Sequence, residues 1–323
     1  MLQIKQVDFN AQLVDQGRQF AQHLGYCQSG AMDWVSFKLA NALVGNPLEA
    51  SAIEVSFGGI IFEAQSKMVI AIGYASEQTI PQVLIDNQTH QINQPLVVNQ
   101  SQIIKILPNG ACRFYVAIQG SIEVPEVHGS CCDVAKETLG GLHQDGSGLK
   151  SRDIIKLKPS PPNKSLTVDN CMLNSLVAWS NLTNKAIPVH FCYQHQSFSR
   201  GQKALFLSSE YEVSPQSGKQ GIRLSGQNIR SNLTNMLSEG ICNGAIQIAG
   251  DGLPMILLAD RQTIGGYPKI GAVGGLGLAR LGQAKPGDKI VFELSDNEIF
   301  RQQRLLAENM LLNIQSVNRT IHQ

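Results

Sequence analysis

Apolar positions along the chain fall in short runs separated by Gly, Asp, Asn and Pro, the punctuation of β-structure. In the first half, the runs at 60–62, 68–72, 83–85, 96–98, 103–107 and 113–118 read as strands, with Asp86-Asn87 as the turn of a hairpin. The second half repeats the pattern at 205–207, 222–224, 245–248, 255–258 and 289–294. Helical spacing is confined to two places. Val35, Leu39, Ala42 and Leu43 share one face behind Asp33, which is placed to cap them, and Gly45 and Pro47 end the helix. From Ser295 onward Ile299, Leu306, Met310 and Val317 recur at helical intervals, with Ser295 and Glu298 at capping-box spacing. This predicts a terminal helix packed on its own body.

The stretch KPSPPNKS at 158–165 carries three prolines and no apolar anchor, so the chain there is expected to be extended. It divides the 323 residues into a β-rich lobe with one helix (1–160), a second β-rich lobe (161–295) and a helical tail (296–323).

Charge narrows the partners. Lys and Arg number 26 against 25 Asp and Glu, for a net charge of +1, so no global field draws the chain to nucleic acid or anionic lipid. Charged residues make up 16% of the chain, against about 25% in an average globular protein, which suits a surface partly covered by another chain. The 7 cysteines include no C-x-x-C spacing, which argues against a disulfide framework or a zinc site and for reduced thiols in a cytoplasmic protein. The vicinal Cys131-Cys132 pair suits either redox chemistry or small apolar packing. The N-terminus lacks a basic region followed by an apolar one, and no apolar run approaches the roughly 18 residues of a membrane span.

Three segments gather chemistry. The first, 260–269, follows an apolar strand, so its polar groups emerge at a strand end. Gly265 and Gly266 let backbone amides approach an oxyanion, Arg261 offers a planar fork, Lys269 a point charge, and Asp260 can orient either. A tight hairpin with a surface ion pair accounts for the same residues. The second is 15–33, where Asp15, Arg18, His23, Ser29 and Asp33 crowd among three glycines with little apolar material of their own. A lone His such as His23 is more often structural than catalytic. The third, 214–226, is a polar loop whose Ser214, Gln216 and Arg223 could face a ligand or simply build turns. No G-x-x-x-x-G-K-S/T loop, G-x-S-x-G elbow or H-E-x-x-H is present, so a bound nucleotide would not be held by a P-loop.

These segments carry a resemblance. DQGR (15–18), HLG (23–25), SGAMD (29–33), ANALVGNP (40–47), SSEYEVSPQS (208–217), SEG (238–240), GAIQ (244–247), LLADRQTIGGYPKIG (257–271) and KPGD (285–288) are similar to the family of C-type 5-oxoprolinase subunits. That family is also called allophanate hydrolase subunit 2 and is related to the carboxyltransferase region of urea carboxylase. The resemblance implies a mainly β fold of two cyclophilin-like β-barrel lobes and a terminal helix. It also implies an ATP-dependent opening of a small cyclic amide, 5-oxo-L-proline, to glutamate.

Taking the chemistry of the three segments together with the resemblance, Asp260, Arg261, Thr263 and Lys269 would be catalytic. Gly265, Gly266, Tyr267, Gln247, Ser214, Gln216, Arg223, Asp15, Arg18 and Ser29 would bind substrate or nucleotide, with no metal held by this chain alone. The implied cofactor is ATP with Mg2+ at a subunit interface. The implied partners are a B-type subunit, similar to allophanate hydrolase subunit 1, and an A-type subunit. The sequence departs from the family pattern at Gly73-Tyr74-Ala75-Ser76, Gly129-Ser130-Cys131-Cys132 and Cys192-Tyr193-Gln194-His195-Gln196. Two alternatives therefore stay open. One is a non-catalytic subunit that pairs with a B-type kinase-inhibitor-like partner. The other is a component of urea or amide carboxyl transfer, which would need a separate biotin carrier because this chain has no M-K-M motif.

Overall fold

A computed structural model of the chain describes residues 1–76, 79–159, 168–180, 186–233 and 236–320, the side chains of 315–320 excepted. It contains two compact units: Met1–Gln19, Asp33–Asn181 and Leu306–Gln323 form the first, and Phe20–Met32 with Leu182–Leu305 the second. From residue 160 on, the proline-rich stretch expected to divide the lobes lies outside the described residues.

Alternation builds the first unit. In Leu2–Val7 the residues Leu2 and Ile4 are buried and Lys5 is exposed, the period of a strand with one face to the core. That strand joins Ile60–Ala64, Gln82–Ile85, Gln88–His90, Ile103–Leu107, Ile122–Glu123 and Ile154–Leu157 in a seven-stranded sheet. Asn10–Val14, Ala52–Ser56, Met68–Gly73, Leu96–Val98 and Arg113–Ile118 form a five-stranded sheet. Ile4, Phe62 and Ile104 of one sheet share a core with Val55, Ile70 and Val116 of the other. Asp86 and Asn87, at φ 48 and 67, make the expected two-residue hairpin turn.

Met68–Gly73 and Arg113–Ile118 are buried on both faces because helix α1, Trp34–Leu43, covers the outer one. Asp33 caps α1 as expected, accepting from the Val35 and Ser36 amides at 3.1 Å each. A Cβ at Gly73 would sit 2.3 Å from the Ser36 carbonyl oxygen, so only glycine lets helix and strand approach so closely.

In the second unit the sheet order is Lys289–Ile290, Tyr211–Val213, Gly221–Ser225, Pro254–Leu257, Ala245–Ile248, Lys269–Val273, Ile187–His190 and Phe292–Leu294. The first and last of these strands are consecutive in the chain, with only Val291 between them. The sheet therefore closes on itself as a barrel. Its core includes the rings of Phe206, Tyr211 and Phe292, with Phe206 stacked on Phe292 at 4.6 Å. The mainly β class expected from sequence holds.

The structure corrects five details. Residues 205–207 are not a strand: after α2 (Asn170–Ser180), which the apolar pattern does not reveal, they lie inside α3 (Arg200–Ser208), where Ser199 accepts from the Gln202 amide and Phe206 alone is fully buried. The short helix α4, Leu276–Gly282, is also absent from the sequence reading. In α5, Asn297–Thr320, Asp296 rather than Ser295 accepts from the Glu298 amide, at 2.9 Å. The buried stripe of α5 is Phe300, Ala307, Leu311 and Ile314; the first three lie one position on from the expected Ile299, Leu306 and Met310, Ile299 is 46% exposed, and the side chain of Val317 lies outside the described residues. Phe300 packs closely on Gly274, where a Cβ would lie 2.5 Å from the Phe300 ring. Among the described residues no helix is long and apolar enough to cross a membrane.

Candidate functional site

The strand Pro254–Leu257 runs out into Leu258-Ala259-Asp260-Arg261, and the chain returns through the short strand Ile264–Gly265 to re-enter the barrel at Lys269–Val273. Lys269 opens that last strand with 4% exposure. An ammonium so buried needs a compensating charge. Glu239 provides it: Lys269 Nζ donates to Glu239 Oε1. Gln194 Nε2 donates to the same oxygen at 2.5 Å, and the Tyr193 hydroxyl donates to Oε2. Gln194 Oε1 in turn accepts from the Lys269 backbone amide at 2.7 Å. Partial burial pushes the Glu239 carboxyl up, but the bonds from Lys269 and Tyr193 outweigh it and hold the group below its ordinary range. The bond to Glu239 raises the Tyr193 hydroxyl.

Arg261 is 3% exposed, and its acceptors are all neutral. Nε donates to the Ile241 carbonyl at 3.1 Å, Nη1 to the Leu258 carbonyl at 3.3 Å and Nη2 to Gln28 Oε1 at 3.1 Å. Burial lowers its pKa, yet a guanidinium stays charged at neutral pH. Next to it the Ser29 amide donates to the Ala259 carbonyl at 2.9 Å, so two sequence-distant motifs meet here. The Asp260 amide donates to the Lys219 carbonyl, and the Thr263 carbonyl accepts from the Ile241 amide, both at 3.0 Å.

Gly265 pairs with Glu239 in a two-stranded ribbon. A Cβ at Gly265 would lie 2.7 Å from Ile241 Cδ1 and 3.0 Å from Gln247 Nε2, so glycine keeps the ribbon seated. Gln247 is buried opposite Lys269 in the ladder and donates to the Tyr267 carbonyl at 3.4 Å. Gly266, Tyr267 and Pro268 form one wall of a cavity of about 810 Å³, with Met236, Arg230 and Asp251 on its other sides.

Asp260, Arg261, Thr263, Gly265, Gly266, Tyr267, Lys269, Gln247 and Ser29 thus share one neighbourhood. Arg223 pairs with Asp251 at the cavity's edge. Ser214 and Gln216 serve their own turn, with the Ser214 amide on the Arg223 carbonyl at 2.9 Å and the Gln216 amide on Ser214 Oγ at 3.2 Å.

Asp15 and Arg18 belong to the first unit, in a cluster of their own. Asp15 Oδ1 accepts from the Gly17 amide and Ser130 Oγ at 2.7 Å each and from Cys132 Sγ at 3.2 Å, while Oδ2 accepts from the Cys131 amide at 2.7 Å. Arg18, fully buried, donates to the Cys132 carbonyl at 2.5 Å. Burial, and then Asp15 beside it, push the Cys131 thiol far up, away from the thiolate that redox chemistry needs.

Sequence reasoning does not single out Tyr193, Gln194, Glu239 or Gln28 as site residues. A signal exists for three of them: Glu239 sits in the SEG motif, and Tyr193 and Gln194 in the altered 192–196 segment. Among the described residues no group of three or more His, Cys, Asp or Glu side chains is placed to hold a metal ion, so no role is derived for a metal on this chain.

The sequence and the fold match known proteins. The model of the carboxyltransferase domain, subdomain A and B, matches residues 24–294. The C-type subunit of 5-oxoprolinase from Escherichia coli (strain K12) is 31% identical over 294 residues, 90% of each chain. The protein of the same name from Haemophilus influenzae is 28% identical over 91% of each. In three dimensions the chain is similar to the urea amidolyase of K. lactis, with a TM-score of 0.86 at 24% identity, covering 97% of this chain and 20% of that one. That likeness establishes the fold.

Proposed function

The chain belongs to the carboxyltransferase domain subdomain A and B family, and on that footing we propose that it is one subunit of an ATP-dependent enzyme that opens a small cyclic amide, 5-oxo-L-proline, to L-glutamate. The observation that carries this reading is the site at the end of Pro254–Leu257: the buried Lys269 ammonium, the buried Arg261 guanidinium and a cavity share one short segment beside a strand end. In the reaction, water adds its oxygen to the lactam carbon, the C–N bond breaks, and the ring nitrogen leaves as the amine of glutamate. ATP is hydrolysed by a second water to ADP and phosphate, and that hydrolysis supplies the driving force.

Fixed positive charge lowers the barrier where negative charge develops on the carbonyl oxygen. Arg261 uses three N–H groups on Ile241, Leu258 and Gln28, which leaves two of its five donors. Those bonds also hold the guanidinium still, so no reorganisation is needed at the moment of reaction. Lys269, fixed by Gln194 at its backbone and paired with Glu239 at its tip, is the second charge, available to hold the substrate. We assign the partner subunits of the assembly the B-type and A-type roles, with nucleotide bound where subunits meet.

One observation favours a second reading, a non-catalytic binding subunit. The Asp15 carboxylate, in a segment assigned to binding, is already engaged by four donors of its own unit. Oxoproline-dependent ATP hydrolysis by the co-purified assembly separates the two. Arg261→Ala and Lys269→Ala are expected to lower the rate by at least about 100-fold, the range seen when a charge-stabilising donor is removed. Wild-type rates in both variants would remove the catalytic reading.

A further inference from the structure

Lys269, Gln194 and Tyr193 form a cradle of donors, and what they hold is a carboxylate. The floor of the cradle is buried, with Lys269 at 4% and Gln194 at 8% exposure. The occupant is not: the Glu239 side chain is 32% exposed. Glu239 stands on a strand of two residues, Glu239–Gly240, whose one ladder partner among the described residues is the equally short Ile264–Gly265. Tyr193, the third side, is 70% exposed. The cation is thus fixed in the barrel wall, and its counter-ion rides on a narrow exposed ribbon.

Breaking such a pair outright would strand a buried ammonium, which is costly. Exchanging one carboxylate for another keeps the ammonium compensated before and after, so the cradle can change occupants. Space for the rest of a ligand adjoins it: Met236, whose sulfur accepts from Gln194 Nε2 at 3.2 Å, also lines the cavity of about 810 Å³.

We propose that the cradle of Lys269, Gln194 and Tyr193 is the recognition site for a ligand's free carboxylate, and that Glu239 fills it as an internal stand-in until the ligand displaces it. The proposal deepens the lactam reading and rests on it for one point, the ligand: 5-oxo-L-proline presents a free carboxylate beside its ring amide. Glu239 then acts as a gate that lowers apparent affinity by the fraction of time it occupies the cradle.

The test is calorimetric titration of the full chain with 5-oxo-L-proline, with acetate, and with 2-pyrrolidinone, which keeps the ring amide but lacks the carboxylate. Glu239→Gln removes the charge while keeping the side chain's shape, and Glu239→Ala empties the cradle; melting temperatures confirm that each folds. Both variants are expected to bind 5-oxo-L-proline and acetate about tenfold tighter or more than the wild type, the effect of removing a competitor present about nine-tenths of the time. Affinity for 2-pyrrolidinone should not change, and Lys269→Met should lose the gain. Equal or weaker carboxylate binding in both folded Glu239 variants overturns the proposal, as does a gain shared equally by 2-pyrrolidinone. Tighter acetate binding in an assembly that never turns over oxoproline supports the cradle and removes the lactam reading. Turnover with unaltered affinity in the Glu239 variants removes the cradle alone.

Discussion

Lys269 and Arg261 are both buried cations, and the protein treats them differently. Lys269 meets a carboxylate, whereas Arg261 meets only two carbonyls and an amide oxygen. A delocalised guanidinium tolerates dipolar compensation better than a compact ammonium does. The residues that complete the Lys269 site come from positions 193, 194 and 239, far apart in the chain, and no local pattern could join them. What is legible at this scale is the 260–269 segment, because it follows an apolar strand and is rich in groups that only a strand end displays.

The vicinal cysteines are open to two readings in sequence, and their environment decides for packing: Cys131 and Cys132 are buried around Asp15. Alkylation by iodoacetamide at pH 8, followed by mass spectrometry, should label the exposed Cys171 and Cys242 and spare Cys131 and Cys132. Cys192 should react slowly, since burial and then Cys242 push its thiol up to about 11. Native-state labelling of Cys131 at the rate of Cys171 would contradict this environment.

Among the elements, α1 shows how much a single capping residue is able to signal. Besides the two amides, Asp33 Oδ2 accepts from Ser36 Oγ at 2.6 Å, and the Asp33 amide donates to the Tyr115 hydroxyl at 2.7 Å, which ties the cap to the five-stranded sheet beneath. Asp33→Ala should therefore destabilise the chain by about 1–2 kcal/mol, read from the denaturant midpoint at unchanged slope. An unchanged midpoint would show that the cap contributes nothing. Three apolar residues at 205–207 cannot tell strand from helix, because the deciding features, the Ser199 cap and a core that buries Phe206 fully and Leu205 and Leu207 partly, lie outside the run. The phase of α5 escapes local reading for a similar reason: Gly274 makes room for Phe300, and Ala307 and Leu311 are buried where Leu306 and Met310 were expected.

At the scale of the whole molecule, the apolar run 289–294 reads as one strand and is in fact the closure of the barrel, split at Val291 so that each piece pairs with a different edge. Nothing local distinguishes a run that ends one sheet edge from a run that joins two. The composition of the second unit is equally out of reach of local reading, since Phe20–Met32 is drawn into it through the bonds of Gln28 and Ser29 to the 258–261 turn. The mainly β class and most strands of both units are legible because short apolar runs bounded by turn residues have few other solutions.

On the proposed function this chain is a required part of a lactam-opening assembly. The most direct test is reconstitution: the partner subunits, with and without this chain, are given 5-oxo-L-proline and ATP, and glutamate and phosphate are measured. The two products are expected in equal amounts when the chain is present and neither above background when it is left out. Glutamate formed at the same rate without the chain would contradict the proposed function.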